Sequence, residues 1–139
     1  MEEEKKLPYS ISSKEEMKLT PEYPVCFEDE TTHRCYLLPY GKWVIGREDK
    51  EDPKEQDVAI LTDDIFISRR HAVVKVEENL IGKMSVVIRD YKEVKNHTRV
   101  LLNEKGEVLS TNDDYELYDQ SELLIGKTWF IVHSLTIYN

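Results

Sequence analysis

From about residue 25 onward, the apolar residues occur in short runs rich in Val, Ile, Leu, Tyr and Trp, separated at close intervals by turn-forming residues. Runs of this length and composition are typical of β-strands, and none of them shows the three- to four-residue spacing of an amphipathic helix. The predicted strands lie at about residues 33–38, 42–46, 58–61, 71–77, 84–90, 98–102, 107–109, 122–125 and 128–138. Many short strands without a long helix predict an all-β fold, a β-sandwich.

Three connections between these strands contain residues that favour tight turns. They lie at Pro39–Lys42, Asn79–Gly82 and Asn103–Gly106. Each contains a glycine or an asparagine, the residues that most readily adopt positive φ. Each connection is therefore predicted to close a β-hairpin.

The first 22 residues lack the strand pattern. They are rich in Glu and Lys, and their few apolar residues form no sustained stripe. The Ser-to-Glu spacing within Ser12–Glu16 allows one short helical turn. Pro21 and Pro24 mark a linker, because proline is poorly tolerated inside regular elements. We therefore expect a flexible N-terminal tail over residues 1–22 and one folded domain over residues 23–139.

Length and charge narrow the class of protein. A chain of 139 residues is long enough for a single hydrophobic core. Its net charge of −9 argues against general binding to nucleic acid or to anionic membranes, which are also negative. No apolar run approaches the ~18 residues of a spanning helix, and the first residues do not resemble a signal peptide. We therefore expect an intracellular protein.

Two groups of residues share some features of metal sites. Cys26, His33 and Cys35 lie close in sequence, but structural zinc requires four ligands, and no second cluster accompanies them. The segment Glu48–Asp57, here named the acidic loop, contains six acidic residues but lacks the glycine and terminal glutamate of an EF-hand calcium loop. We expect two free thiols in strands, an exposed and mobile charged loop, and neither a metal nor a cofactor.

One stretch has the chemistry of an anion-binding site. Ser68–His71 reads Ser-Arg-Arg-His, and Gly46-Arg47 adds another guanidinium group at the end of a predicted strand. Charged donors make the strongest hydrogen bonds to phosphate, and arginine presents a planar fork of N–H groups. These residues predict a phosphate-binding pocket. A hydrolase that uses Ser68 and His71 is disfavoured, because nucleophile and base need an orienting third group that no nearby motif supplies.

Two further blocks follow along the chain: Asn96-His97-Thr98 with a further Asn103, and Leu123-Leu124-Ile125 followed by Gly126. Together with Trp43–Arg47 and Ser68–His71, in this order on an all-β background, they resemble the forkhead-associated (FHA) domain, a phosphothreonine-binding module. The resemblance covers roughly residues 25–135. The resemblance implies a β-sandwich of two antiparallel or mixed sheets with the binding loops at one end. More weakly, the Ser-Arg-Arg-His block resembles nibrin-type FHA domains.

The resemblance also implies roles for individual residues. The phosphopeptide-binding residues would be Arg47, Ser68, Arg69, Lys95 and Asn96. The residues that support the site structurally would be Gly46, His71 and Thr98. Arg47 and Ser68 would hold the phosphate, and Asn96, which can donate and accept at once, would hold the ligand main chain.

Simpler alternatives and two departures from the family pattern remain. Arg47 could form a salt bridge with the acidic loop, and Ser68 could merely cap a turn. Arg70 is expected to face solvent, because neighbours along a strand point to opposite faces. His97 stands where the family usually has Gly at positive φ, a conformation costly for most other residues. The connection from Arg47 to Ser68 is also longer than the family commonly shows.

The expected function is phosphothreonine-dependent binding of a protein or peptide, without catalysis. The alternative is an FHA-like scaffold with a degenerate pocket that binds its partner constitutively. Carboxylates of the acidic loop predict a preference for basic residues beside the phosphothreonine. We expect a monomer, with self-association through a phosphorylated tail as an alternative. The resemblance further implies a nuclear setting in DNA-damage or cell-cycle signalling.

Overall fold

The computed structural model describes residues 6–52, 55–102, 105–108 and 113–135. The strands, in chain order, are β1 Tyr9–Ile11, β2 Val25–Asp29, β3 Cys35–Leu38, β4 Gly41–Arg47, β5 Val58–Ile60, β6 Ala72–Glu78, β7 Met84–Asp90, β8 Arg99–Leu102, β9 Lys105–Val108, β10 Tyr115–Leu117, β11 Glu122–Ile125 and β12 Thr128–Ser134. A 3-10 turn at Lys14–Glu16 lies between β1 and β2. Within these ranges, no helix is long and apolar enough to span a membrane.

The strands form two sheets. The seven-stranded sheet has the order β1-β3-β2-β12-β11-β8-β9, and the five-stranded sheet has the order β10-β7-β6-β4-β5. The neighbouring strands are antiparallel, except that β5 runs parallel to β4. The predicted all-β sandwich of mixed sheets is therefore confirmed.

The hydrophobic core lies between the two sheets. Large aromatic side chains from both sheets meet there, with Trp43 from the five-stranded sheet and Phe27, Tyr36 and Phe130 from the other, all almost fully buried. Because buried polar groups need partners, Trp43 Nε1 donates to the Pro39 carbonyl at 2.9 Å, and the Tyr36 hydroxyl accepts from the Leu61 N–H at 2.9 Å. Burial raises the pKa of Tyr36 to about 12.

The strand pattern missed three strands of the structure, β1, β2 and β10. All five residues of β2 are buried, because it lies inside its sheet between β3 and β12 and is covered on both faces. A strand of this kind shows no alternation of apolar and polar residues, and its last two residues, Glu28 and Asp29, conceal it further. The predicted ends of the strands at 107–109 and 128–138 include residues outside the described ranges.

The turn predictions have different outcomes. The Asn79–Gly82 turn joins β6 to β7 as a hairpin, in which Gly82 has φ 79° and the Asn79 side chain accepts from two backbone N–H groups. The Pro39–Lys42 hairpin is wrong, because β3 and β4 belong to different sheets and the chain crosses between them there. The third turn, Asn103–Gly106, falls partly outside the described residues.

The segment expected to be a flexible tail contains a strand and packed side chains in its described part. Within the described part of that segment, β1 pairs antiparallel with β3 at the edge of the seven-stranded sheet. Four side chains of residues 6–23 pack against the outer face of β2 and β3, where Cys26, Cys35 and Leu37 are fully buried; they are Ile11, Met17, Leu19 and Tyr23. The three buried side chains are apolar, so covering them removes hydrocarbon from water. Both cysteines are free thiols.

We predict that Leu19→Ser destabilises the domain by about 1 kcal/mol, because Leu19 is half-buried against the Cys26–Cys35 face. The same change should increase the rate at which Cys26 and Cys35 react with a thiol reagent in native buffer. Leu7→Ser is the matched control, since Leu7 is 61% exposed. Equal thiol reactivity in both variants would argue that the segment does not cover the sheet.

Candidate functional site

Three loops meet at the C-terminal end of β4: the acidic loop, the loop of residues 61–70 and the loop of residues 91–98. The second of these, Leu61–Arg70, leads into β6 and contacts the other two. Its Ser68 carbonyl accepts from the Arg47 N–H at 3.0 Å, and its Phe66 carbonyl accepts from Asn96 Nδ2 at 3.0 Å. The fold therefore brings the three blocks containing Arg47, Ser68 and Asn96 to one end of the sandwich.

Gly46 permits the closest of these approaches. A Cβ atom at this position would lie 1.9 Å from the Arg69 carbonyl oxygen and 2.7 Å from that of Ser68. Both atoms belong to the backbone, so neither can swing aside as a flexible side chain would. Glycine is therefore required here by the contact between β4 and the Ser68 loop.

Arg47 lies half-buried where β4 ends. Its Nε donates to the Ile67 carbonyl at 3.0 Å, which orients the guanidinium group. Within the described residues, its two terminal nitrogens make no hydrogen bond or ion pair, so they remain available to an anion. The salt bridge between Arg47 and the acidic loop, the alternative noted from the sequence, is not among the ion pairs of the described residues.

Ser68 and His71 form a closed turn. The Ser68 N–H donates to His71 Nδ1 at 3.0 Å, and the His71 N–H donates to the Ile45 carbonyl at 2.9 Å. Burial lowers the pKa of His71, which is fully buried, and attraction to Asp90 offsets this only in part. The neutral imidazole accepts through Nδ1 and so stabilises the turn. The Ser68 hydroxyl has no hydrogen-bond partner among the described residues.

Both arginines of the Ser-Arg-Arg-His block pair with the acidic loop. Arg69 Nε lies 3.3 Å from Asp49 Oδ2, and Arg70 Nε lies 3.4 Å from Glu55 Oε2. The Arg70 guanidinium group also lies over the Tyr91 ring, at 5.9 Å from its centroid. Arg70 is exposed as expected, but it contacts the protein rather than solvent alone.

The acidic loop is anchored at the end that leads into β5. The Gln56 side chain is buried and donates to the Arg47 carbonyl. Asp57 and Val44 exchange two hydrogen bonds of 2.8 Å each, one through the Asp57 carboxylate. The long connection between Arg47 and Ser68 contains its own strand, β5, which pairs in parallel with Ile45, Gly46 and Arg47 of β4.

The loop from Tyr91 to Thr98 is organised by the buried carboxylate of Asp90. Asp90 accepts from the Thr98 N–H at 2.8 Å and lies 2.8 Å from His97 Nδ1. The left-handed residue of this loop is Glu93, at φ 67°, whereas His97 is not among the residues with positive φ. His97 in place of Gly therefore imposes no backbone strain here.

Lys95 and Asn96 lie exposed beside a groove of about 480 Å³. The other residues that line the groove are Phe66, His97, Arg99, Leu124, Gly126 and Lys127. Lys127 Nζ lies 4.0 Å from the centroid of the Phe66 ring, which is a favourable cation–π geometry.

Asp64 is a structural residue that the sequence analysis did not identify. Its carboxylate accepts from the Lys127 N–H and the Thr128 hydroxyl, both at 2.7 Å, and from the Phe66 N–H at 2.9 Å. Burial alone would raise the pKa of Asp64, but these hydrogen bonds outweigh it and the pKa lies below its ordinary value. Gly126, at φ 62°, lies close against this loop. The only sequence signal for Asp64 is a carboxylate followed later in the chain by turn residues. That signal is too common to identify Asp64.

The family profile of the FHA domain matches residues 43–126. The chain belongs to the FHA domain family. The match covers every residue block described above, from Trp43 through Ser68 and Asn96 to Gly126. Among the described residues, no group of three His, Cys, Asp or Glu side chains is placed to hold a metal ion.

Several solved structures share this fold at low sequence identity. The yeast splicing factor Pml1 is 16% identical, with a TM-score of 0.62 over 83% of this chain and 80% of Pml1. The FHA domain of CT664 from Chlamydia trachomatis is 19% identical, with a TM-score of 0.59 over 81% of this chain and 99% of that domain. Mycobacterium tuberculosis EmbR, solved with a low-affinity phosphopeptide, is 20% identical, with a TM-score of 0.58 over 84% of this chain and 26% of EmbR. No curated protein sequence matches the chain.

Gly46→Ala should destabilise the domain by more than about 2 kcal/mol, because the added methyl group must displace the Arg69 backbone. Gly82→Ala is the comparison. Gly82 has open space around it, so only its φ of 79° opposes the substitution, at a cost of about 1 kcal/mol. Urea unfolding of both variants measures the difference. A smaller loss in Gly46→Ala than in Gly82→Ala would contradict the close contact.

Asp64→Asn should destabilise the domain by about 1–2 kcal/mol at pH 7, since an amide nitrogen cannot accept the hydrogen bonds of the carboxylate. Because the folded pKa is lowered, this contribution is present above the unfolded pKa, about 4, and is lost as the pH falls through the folded pKa. Wild type and variant should therefore converge in stability in strong acid. Asp63→Asn, at an exposed neighbour, is the control and should leave the stability at pH 7 almost unchanged.

Proposed function

We propose that this FHA domain binds phosphothreonine-containing segments of partner proteins through the loops at the C-terminal end of β4. The observation that carries the proposal is the convergence of Arg47, Ser68 and Asn96, with the Arg47 terminal nitrogens and the Ser68 hydroxyl left without protein partners in the described structure. Guanidinium and hydroxyl donors together match the oxygens of a phosphate monoester.

The roles of the remaining residues follow from their positions. Asn96 is exposed, and its Nδ2 donates to Phe66, so its side-chain oxygen is directed by that bond and can accept from a ligand N–H. Lys95 precedes it on the same exposed loop and supplies a point charge. Gly46, His71 and Thr98 act on the backbone of these loops rather than on the ligand.

The comparison with EmbR supports a phosphopeptide as the ligand, since that relative was solved in complex with one. FHA domains are in general interaction modules rather than enzymes, and the geometry of Ser68 agrees with binding. Its neighbour His71 contacts the Ser68 backbone N–H, not its hydroxyl, and is buried behind the turn. A hydroxyl that is not bonded to a base is suited to donate to a phosphate oxygen rather than to attack it.

The alternative of a degenerate pocket with constitutive binding drew its support from His97 and from the long connection between Arg47 and Ser68. Because His97 does not adopt positive φ, the first of these supports is weakened. The alternative remains distinguishable from phosphate-dependent binding by experiment, since constitutive binding through a sheet face or edge requires no phosphate.

The test is a titration of a peptide pool with phosphothreonine fixed at its centre, and of the matched threonine pool, followed by fluorescence anisotropy. Wild type should bind only the phosphorylated pool. Arg47→Ala and Ser68→Ala should each weaken that binding by roughly 10- to 100-fold, as expected for a lost hydrogen bond to a charged group. Lys92→Ala, an exposed lysine outside the proposed site, should leave it unchanged. Equal binding of both pools would instead favour the constitutive alternative.

A further inference from the structure

The acidic loop contacts the proposed site through two ion pairs, which involve the two residues that follow Ser68. Asp49 pairs with Arg69, and Glu55 pairs with Arg70. Arg69 directly follows Ser68, the residue whose hydroxyl is proposed to bind phosphate. The Asp49 carboxylate is therefore already paired with a guanidinium group, that of Arg69, which an incoming phosphate would attract.

Asp49 is held in this position more firmly than an ordinary surface carboxylate. Its side chain is only 9% exposed, whereas that of Arg69 is 55% exposed. Its Oδ1 accepts from the Glu51 N–H at 3.0 Å, while its Oδ2 faces Arg69 Nε. One oxygen fixes the local turn and the other pairs with the arginine, so the carboxylate is oriented toward Arg69 before any ligand arrives.

We propose that Asp49 is an internal competitor for the phosphate, whose carboxylate holds Arg69 in the free domain and is displaced when a phosphothreonine binds. The inference rests on the proposed function of the site. A phosphate monoester carries about −1.5 to −2 charges at neutral pH against one for the carboxylate, so the exchange favours the phosphate. A singly charged peptide carboxylate gains no such advantage.

The competition gives the acidic loop a different role from the one its composition predicted. The expected effect was repulsion of acidic residues flanking the phosphothreonine. In the structure, Asp49 and Glu55 are paired with Arg69 and Arg70, so part of their charge is already balanced. Asp49 then acts by competing for Arg69. This competition affects how well the site discriminates between phosphate and weaker anions.

The experiment compares Asp49→Asn with Glu51→Gln. Each change removes one negative charge from the same segment, and the side-chain amide oxygen introduced by Asp49→Asn can still accept from the Glu51 N–H. Glu51 is exposed, and its side chain forms no ion pair among the described residues. Both variants, wild type, Arg69→Gln and the Asp49→Asn/Arg69→Gln double variant are titrated with the phosphothreonine and threonine pools. Circular dichroism and urea unfolding check that each variant is folded.

Asp49→Asn should bind the phosphothreonine pool roughly two- to fivefold more tightly than wild type, the range that a pair of this exposure is worth. Glu51→Gln should change it by less than about 1.5-fold, because an exposed charge is screened. In the Arg69→Gln background, the gain from Asp49→Asn should disappear. Binding of the phosphorylated pool by Asp49→Asn alone, with none by wild type, would also support the competition.

Two outcomes would overturn the inference, and they are distinguishable. If wild type binds the phosphothreonine pool selectively but Asp49→Asn gains no more than Glu51→Gln, Asp49 is not a competitor and the proposed function stands. If neither wild type nor Asp49→Asn distinguishes the phosphorylated pool from the threonine pool, the proposed function fails, and the competition fails with it.

Discussion

The close backbone contact between β4 and the Ser68 loop is the constraint on which the site depends. Gly46 lies against the Arg69 carbonyl, and hydrogen bonds on each side join Arg47 to Ser68 and Ile45 to His71. These hydrogen bonds continue the pairing between β4 and β6 into the residues that precede β6. The Ser68 loop is therefore held to β4 much as a neighbouring strand would be. Arg47 and Arg69, two charged residues of the proposed pocket, lie directly at this contact.

The same contact shows how a largely acidic protein can present the proposed anion-binding surface. The net charge is −9, yet Arg47 and Arg69 are held by backbone and carboxylate partners at the end of the sandwich. Fixed donors at short range outweigh a diffuse negative field that salt screens within about 10 Å. The overall charge thus bears on approach and solubility, whereas the local geometry decides what is bound.

Much of the fold and the positions of the motifs could be predicted from the sequence, because short apolar runs and the Gly-Arg and Ser-x-x-His blocks are local signals. The strand β2 could not, since a strand covered on both faces shows no alternation and Glu28 lies within it. The Asp64 bonds to Lys127 and Thr128 join residues far apart in the chain, which no local pattern reveals. The pairing of Arg69 with Asp49 was likewise invisible, because it depends on the path of the acidic loop.

The position of β2 has a consequence for the order in which the chain can fold. It pairs with β12, so the first strands of the domain need a partner from the last, and Glu28 and His133 in these two strands are 105 residues apart. Such long-range pairing slows folding, because the loop must close before the contacts form. During synthesis, the edge of β2 that pairs with β12 stays unpaired until β12 has left the ribosome. Residues 6–23 precede β2 in the chain, so they can cover the outer face of β2 and β3 before that pairing forms.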